Sequence, residues 1–145
     1  MTPTSFAYAV LLLLGLIGFA NWIAPYNSLT EDGCTLNYVY DGDTVALDCA
    51  DGRQTARLVG FDTPETKDPR CAAEKTLGNQ ATQRLRDFAA NGVIGFDAQG
   101  YDKYGRILAK MTVDGMDVAD ILVREGLAVR YTGGKRINWC AKLGG

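Results

Sequence analysis

The sequence predicts a mainly β domain with packed helices, preceded by one hydrophobic N-terminal segment. Three observations predict it. Two Asp-Gly pairs, Asp41-Gly42 and Asp51-Gly52, each separate runs of alternating apolar and polar residues, a strong short-range sign of a hairpin. One long helical period follows, and then two more strand patterns and a shorter helical one. The length of 145 residues suits a single domain with a modest core.

The segment from Phe6 to Pro25 carries no charge and is almost wholly apolar. It reads as a signal peptide or a membrane anchor over residues 1–26. Gly18-Phe19-Ala20 offers a small-x-small cleavage site, while the length and the interfacial Trp22 and Tyr26 suit a membrane helix. Both readings place the rest of the chain outside the cytoplasm. It is either anchored and facing the periplasm or extracellular side, or secreted after cleavage behind Ala20. Residues 27–33 are a polar linker, and residues 34–145 form the folded domain.

Within that domain Leu36, Tyr38 and Tyr40 alternate, as do Val45, Leu47 and Cys49 beyond the first turn. A third strand is expected from Gln54 to Phe61, completing a meander. From about Ala72 to Asn91, Leu77, Ala81, Leu85 and Phe88 fall on one helical face, and Gly92 stops the helix. Val93 to Phe96 reads as a short strand. Tyr104 to Val113 reads as a longer one, with Ile107, Ala109, Met111 and Val113 on one face. Asp117 suits the N-cap of a helix through Val118, Ile121 and Leu122, ended by Gly126. Leu127 to Tyr131 adds a last strand. This order predicts a five-stranded OB-type barrel with two packed helices.

The inventory excludes much chemistry. There is no histidine, and the only serines, Ser5 and Ser28, precede the domain. A Ser-His-Asp triad, a Cys-His pair and a histidine-ligated metal are therefore ruled out. What remains is carboxylates, arginines, lysines, tyrosines and any metal held by oxygen, which selects Ca²⁺ or Mg²⁺ over zinc or copper. The four cysteines lack zinc-site spacing and agree with export. Three pairings are open. Cys34 and Cys49 lie at the outer ends of paired strands, and Cys71 with Cys140 would tie the first helix to the tail. The formal net charge is −2, acidic for a nucleic-acid enzyme. Arg124, Arg130, Lys135, Arg136 and Lys142 cluster late, against Glu125 alone.

Three charged segments stand out: Asp41-Gly42-Asp43-Thr44, the stretch from Arg57 through Asp62-Thr63-Pro64-Glu65, and Asp102-Lys103-Tyr104-Gly105-Arg106. Carboxylates held close by a proline-stiffened bend repel each other unless a cation offsets them. Their order and spacing, with Gly126-Leu127-Ala128 behind the second helix, resemble the staphylococcal nuclease (thermonuclease) family from about Tyr38 to Tyr131. The resemblance implies that Asp43, Asp62 and the Thr63 carbonyl ligate Ca²⁺, with Mg²⁺ the second choice. It implies that Glu65 orients or deprotonates the attacking water, and that Arg57 and Arg106 grip the phosphate. Lys103 and Tyr104 would contact a neighbouring phosphate, and Tyr131 would stack on a base. The implied activity is hydrolysis of DNA or RNA by a monomer, leaving 3′-phosphate ends. The alternative is a non-catalytic OB module, tethered to the membrane, that binds nucleic acid or protein. The chain departs from the family's namesake in its four cysteines and in its tail, where a Gly-Gly-Lys-Arg segment and Cys140 replace a third helix.

Overall fold

The computed structural model describes residues 33–144 together with Tyr8 and Val10. The expectations for the N-terminal apolar segment, its cleavage site and the linker fall outside the described residues. Among residues 33–144, eight strands and three helices follow one another: β1 (Thr35–Asp41), β2 (Thr44–Cys49), β3 (Gly52–Leu58), β4 (Gly60–Asp62), α1 (Ala72–Asn91), β5 (Ile94–Tyr101), β6 (Ile107–Val113), β7 (Met116–Asp117), α2 (Val118–Arg124), β8 (Val129–Tyr131) and α3 (Trp139–Lys142). The main sheet runs β1-β2-β3-β6-β5, with β7 on β6, and β4 pairs with β8 in a separate two-stranded ribbon. Neighbours are antiparallel except β3 and β6, which run parallel. A parallel pair needs a crossover, and α1 with β5 supplies it. This is the OB-type arrangement, a meander whose third strand receives β6, the last strand of the main path.

The core lies between the sheet and the two longer helices. Val39, Val45, Ala56, Leu58, Leu85, Val118 and Leu122 are fully buried there, and each large apolar side chain removed from water contributes about 1.5–3 kcal/mol. The buried residues of α1 are Glu74, Gly78, Ala81, Thr82, Leu85, Phe88 and Ala89; Ala81, Leu85 and Phe88 of the predicted face are among them, whereas Leu77 is only half-buried. The N-cap of α2 is Asp117, whose carboxylate accepts from the Ala119 N–H.

Several expectations need correction. The strand expected from Gln54 to Phe61 is two strands. Gly60, at φ 95°, breaks the chain, so that β3 stays in the main sheet and β4 leaves to join β8. Leu36, Tyr38 and Tyr40 do not share a face, because the register of β1 against β2 shifts between Leu36 and Tyr38. Such a bulge re-aims the side chains beyond it. Leu36 points into the core, and Tyr38 and Tyr40 point to solvent. The strand expected at Val93 to Phe96 continues to Tyr101, and the next begins at Ile107 rather than Tyr104. A third helix, α3, forms in the tail. Both disulfides join the expected partners, Cys34 with Cys49 and Cys71 with Cys140.

Candidate active site

The three charged segments meet because of two close approaches and one break. The β2–β3 ladder pairs Thr44 with Arg57, and the Leu58 N–H donates to the Asp43 carbonyl at 2.7 Å. Asp43 and Arg57 are thereby held at the same end of the hairpin. Ala56 and Leu58 enter the core, so Arg57 between them faces the other way, as strand alternation requires. The break at Gly60 then swings Asp62 and Thr63 back over this end. The turn at Gly42 backs directly onto Thr63: a Cβ at Gly42 would lie 2.8 Å from the Thr63 hydroxyl oxygen, so only glycine fits.

The loop after β4 is fixed from the other side by α1. Gly78 presents bare backbone to it, and a Cβ there would lie 2.7 Å from the Pro64 carbonyl. The buried Glu74 carboxylate accepts from the Arg70 N–H at 2.7 Å and the Glu65 N–H at 3.4 Å. Glu65 is thus carried on a loop clamped at both ends.

These residues border one open cavity of about 610 Å³, lined by Asp43, Arg57, Thr63, Glu65, Arg106 and Tyr131 among others. Asp62 lies beneath its floor, fully buried. Arg57 bridges the two acids: one nitrogen contacts Asp43 Oδ1 and another lies 3.3 Å from Asp62 Oδ1. Both carboxylates therefore reach a single cation. The second oxygen of Asp43 accepts from the Thr63 hydroxyl at 3.1 Å and from its N–H at 3.3 Å. Arg106 reaches the cavity from the turn between β5 and β6. Asp102 shapes that turn by accepting from the N–H groups of Tyr104 and Arg106, and it holds the Arg106 Nε at 2.8 Å. Those bonds keep the Asp102 carboxyl below its ordinary pKa against the opposing effect of desolvation. Lys103 and Tyr104 stand at the exposed tip of the same turn and do not line the cavity. The Tyr104 ring lies 5.7 Å from the Arg106 guanidinium.

Arg136, Trp139, Glu74 and Asp41 also border or support the candidate site; the sequence reading placed Asp41 only in the first charged turn and Arg136 only in the late basic cluster, and gave Trp139 and Glu74 no part in it. The Nε of Arg136 lies 2.7 Å from Asp62 Oδ1, its Nη2 donates to the Thr63 carbonyl at 2.9 Å, and its Nη1 contacts Glu65 Oε1. Burial disfavours its charge, but Glu65 and Asp62 outweigh that and raise its pKa. Trp139, buried, donates its indole N–H to Asp62 Oδ2 at 3.2 Å. Asp41 accepts from the Asp43 N–H, and burial, with the Asp43 charge beside it, pushes its carboxyl up to about 6. One signal pointed to Arg136 and Trp139. If Cys140 joins Cys71, the tail must return to within a few residues of Glu65. Within the late basic cluster, Arg130 pairs with Asp120 and Arg136 with the acids of the candidate site.

The donor set suits a hard divalent cation. The oxygens of Asp62, Thr63 and Glu65 already converge on one positive group, the Arg136 guanidinium. Asp43 joins Asp62 on Arg57. All are carboxylate or carbonyl oxygens, the ligands that Ca²⁺ and Mg²⁺ take.

A family profile described as staphylococcal nuclease homologue matches residues 55–139. Endonuclease YncB of Bacillus subtilis (strain 168) is 36% identical over 97 residues, covering 65% of this chain and 46% of the relative. The SPbeta prophage-derived endonuclease YokF of the same strain is 36% identical over 97 residues, covering 65% of this chain and 32% of the relative. The thermonuclease of Staphylococcus hyicus is 34% identical over 92 residues, covering 62% of this chain and 54% of the relative. The chain thus spans about half or less of the length of these relatives. The profile match begins inside β3, ends at the first residue of α3, and takes in Arg57, Asp62, Glu65 and Arg106. On that match the chain belongs to the staphylococcal nuclease homologue family.

Proposed function

We propose that the domain hydrolyses phosphodiester bonds of DNA or RNA with the help of a divalent cation, Ca²⁺ ahead of Mg²⁺, leaving 3′-phosphate ends. The observation that carries this reading is the gathering of Asp43, Glu65, Arg57 and Arg106 around one open cavity, with the buried Asp62 held to Arg57 beside it. Family membership supports it, and the relatives' names describe endonucleases and thermonucleases.

The acids divide by burial. The side chains of Asp43 and Asp62 are 5% and 1% exposed, whereas that of Glu65 is 40% exposed. The buried pair suits holding a cation against the cavity floor, with the Thr63 carbonyl as a third oxygen. Glu65 can be reached by water and suits orienting it and taking its proton. A cation held there would supply positive charge against a phosphate oxygen.

Arg57 enters from β3 and Arg106 from the turn that leads into β6, the parallel partner of β3. A phosphodiester gains negative charge on its equatorial oxygens during in-line attack, so guanidiniums fixed there favour the transition state over the ground state. Asp102 engages the Arg106 Nε and leaves the two Nη groups for a forked contact with phosphate. Lys103 and Tyr104, on the same turn, would meet the next phosphate along the strand. Tyr131, on the cavity wall, is placed to stack against a base. We take the domain to act as a monomer.

The two disulfides support an oxidising compartment. With the apolar N-terminal segment they support export, either anchored at the membrane or released by cleavage. The mass of the exported protein separates these two fates.

The test of function uses the full chain with single-stranded DNA and with RNA, in Ca²⁺, in Mg²⁺ and in a chelator. Fragments ending in 3′-phosphate, made with Ca²⁺ and abolished by the chelator, are expected. Retention of the strand with no fragments under any condition would instead identify a binding module.

A further inference from the structure

We propose that Arg136 is a resident cation of this site, which a divalent ion must displace in order to bind, so that this residue sets the affinity for the ion. The inference rests on the nuclease reading given above. Its basis is positional. The guanidinium of Arg136 holds Asp62 Oδ1 at 2.7 Å, the Thr63 carbonyl at 2.9 Å and the Glu65 carboxylate. Asp62 and the Thr63 carbonyl are two of the three oxygens assigned to the ion, and the third contact is to the assigned base. A dication on Asp62 Oδ1 and the Thr63 carbonyl would compete first with the Arg136 guanidinium, which lies 2.7 Å from that carboxylate oxygen where Arg57 lies 3.3 Å away, because like charges so close in a buried setting repel strongly.

The surrounding backbone holds the residue at this position. After β8, the Tyr131 hydroxyl donates to the Gly134 carbonyl at 2.6 Å. Beyond Arg136, the Asn138 side chain caps α3, Trp139 is bonded to Asp62, and Cys140 is joined to Cys71. The segment is thus tied before and after Arg136, and its long side chain is the part left to move. That side chain is 38% exposed and borders the cavity. Released from the carboxylates, it would swing into the cavity, where Arg57 and Arg106 already stand and where a substrate phosphate would meet it. Ion binding would then exchange one cation for another on the acids and add a third guanidinium to the phosphate side. Arginine suits both positions, since its fork matches paired oxygens of either partner.

The test is calorimetric titration of Ca²⁺ into the full chain, with disulfides intact and no nucleic acid present, comparing wild type with Arg136→Gln and Arg136→Lys. Arg136→Gln is expected to bind Ca²⁺ at least about tenfold tighter, the scale set by charge-assisted bonds that no longer have to be broken. Arg136→Lys keeps the charge without the fork, is expected to fall between the two, and carries the comparison alone if the glutamine variant does not fold. In chelator Arg136→Gln should melt below the wild type, and Ca²⁺ should raise its melting temperature by more. Equal or weaker Ca²⁺ binding by the variants, with Ca²⁺-dependent cleavage intact in the wild type, would overturn the role of Arg136 and leave the nuclease reading standing. Absence of both Ca²⁺ binding and cleavage in every form would overturn the two together.

Discussion

At the scale of single residues, the site sets buried acids against cations, and the two kinds of group respond differently to substitution. Arg57 and Arg106 lie at the cavity rather than in the core. Arg57→Ala, Glu65→Ala and Arg106→Ala are each expected to lower cleavage by about two or more orders of magnitude while the domain still folds. Cleavage rates beside circular dichroism check this, and unfolding of all three would mark the side chains as structural. Arg57→Ala should cost the most stability of the three, because it strips a counter-charge from the buried Asp43 and Asp62. Asp41 behaves in the opposite sense. Its carboxyl is raised from 3.8 to about 6 by burial and by Asp43, so the folded state binds that proton more tightly than the unfolded chain does. Its contribution to stability is complete below pH 3.8 and is lost as pH rises through about 6. Asp41→Asn should therefore match the wild type at low pH and exceed it in urea resistance above pH 6. Parallel urea curves at every pH would show that Asp41 does not titrate in this way.

At the scale of elements, most of the fold was legible because its signals are local. The Asp-Gly turns, the stripe of α1 and the Asp117 cap each lie within a few residues of what they specify. The departures arise where a tertiary partner overrides the local pattern. The alternation from Gln54 to Phe61 runs through Gly60 without a visible gap, yet β4 leaves the sheet because β8 is there to receive it. Leu36, Tyr38 and Tyr40 alternate in sequence, but the bulge separates them in space. The motif residues Asp43, Arg57, Asp62, Glu65 and Arg106, legible in the sequence, come together at the candidate site. Arg136 and Trp139 lie beyond that motif and reach Asp62 only through the return of the tail. The link that enforces this return spans 69 residues, whereas Cys34–Cys49 spans 15. Closing the longer loop should stabilise by about 4 kcal/mol and the shorter by about 3. Cys71→Ser with Cys140→Ser should therefore lower the urea midpoint more than Cys34→Ser with Cys49→Ser, the more so because it frees α3 and Trp139. The reverse order would show that the tail docks without its covalent tie.

At the scale of the whole molecule, the charge balance predicts how the protein meets a polyanion. The net charge is −2, with 15 basic side chains. Seven of these, Arg53, Arg57, Arg84, Arg106, Lys110, Arg130 and Arg136, are engaged with carboxylates, which with the acidic balance weakens long-range attraction of nucleic acid. Affinity for a strand should then rest on the few cations that line the cavity and on contacts with bases, and few counterions should be released on binding. A protein making 6–10 phosphate contacts loses about 10³–10⁵ in affinity between roughly 50 and 200 mM salt, whereas two or three contacts to a single strand predict a loss of only about tenfold. Binding of a non-cleavable oligonucleotide across that range measures the slope directly. A steep slope would mean that ion pairs such as Arg130–Asp120 and Arg84–Glu125 open to release their arginines to the strand. The substrate would then be held by the outer surface of the domain as well as by the cavity.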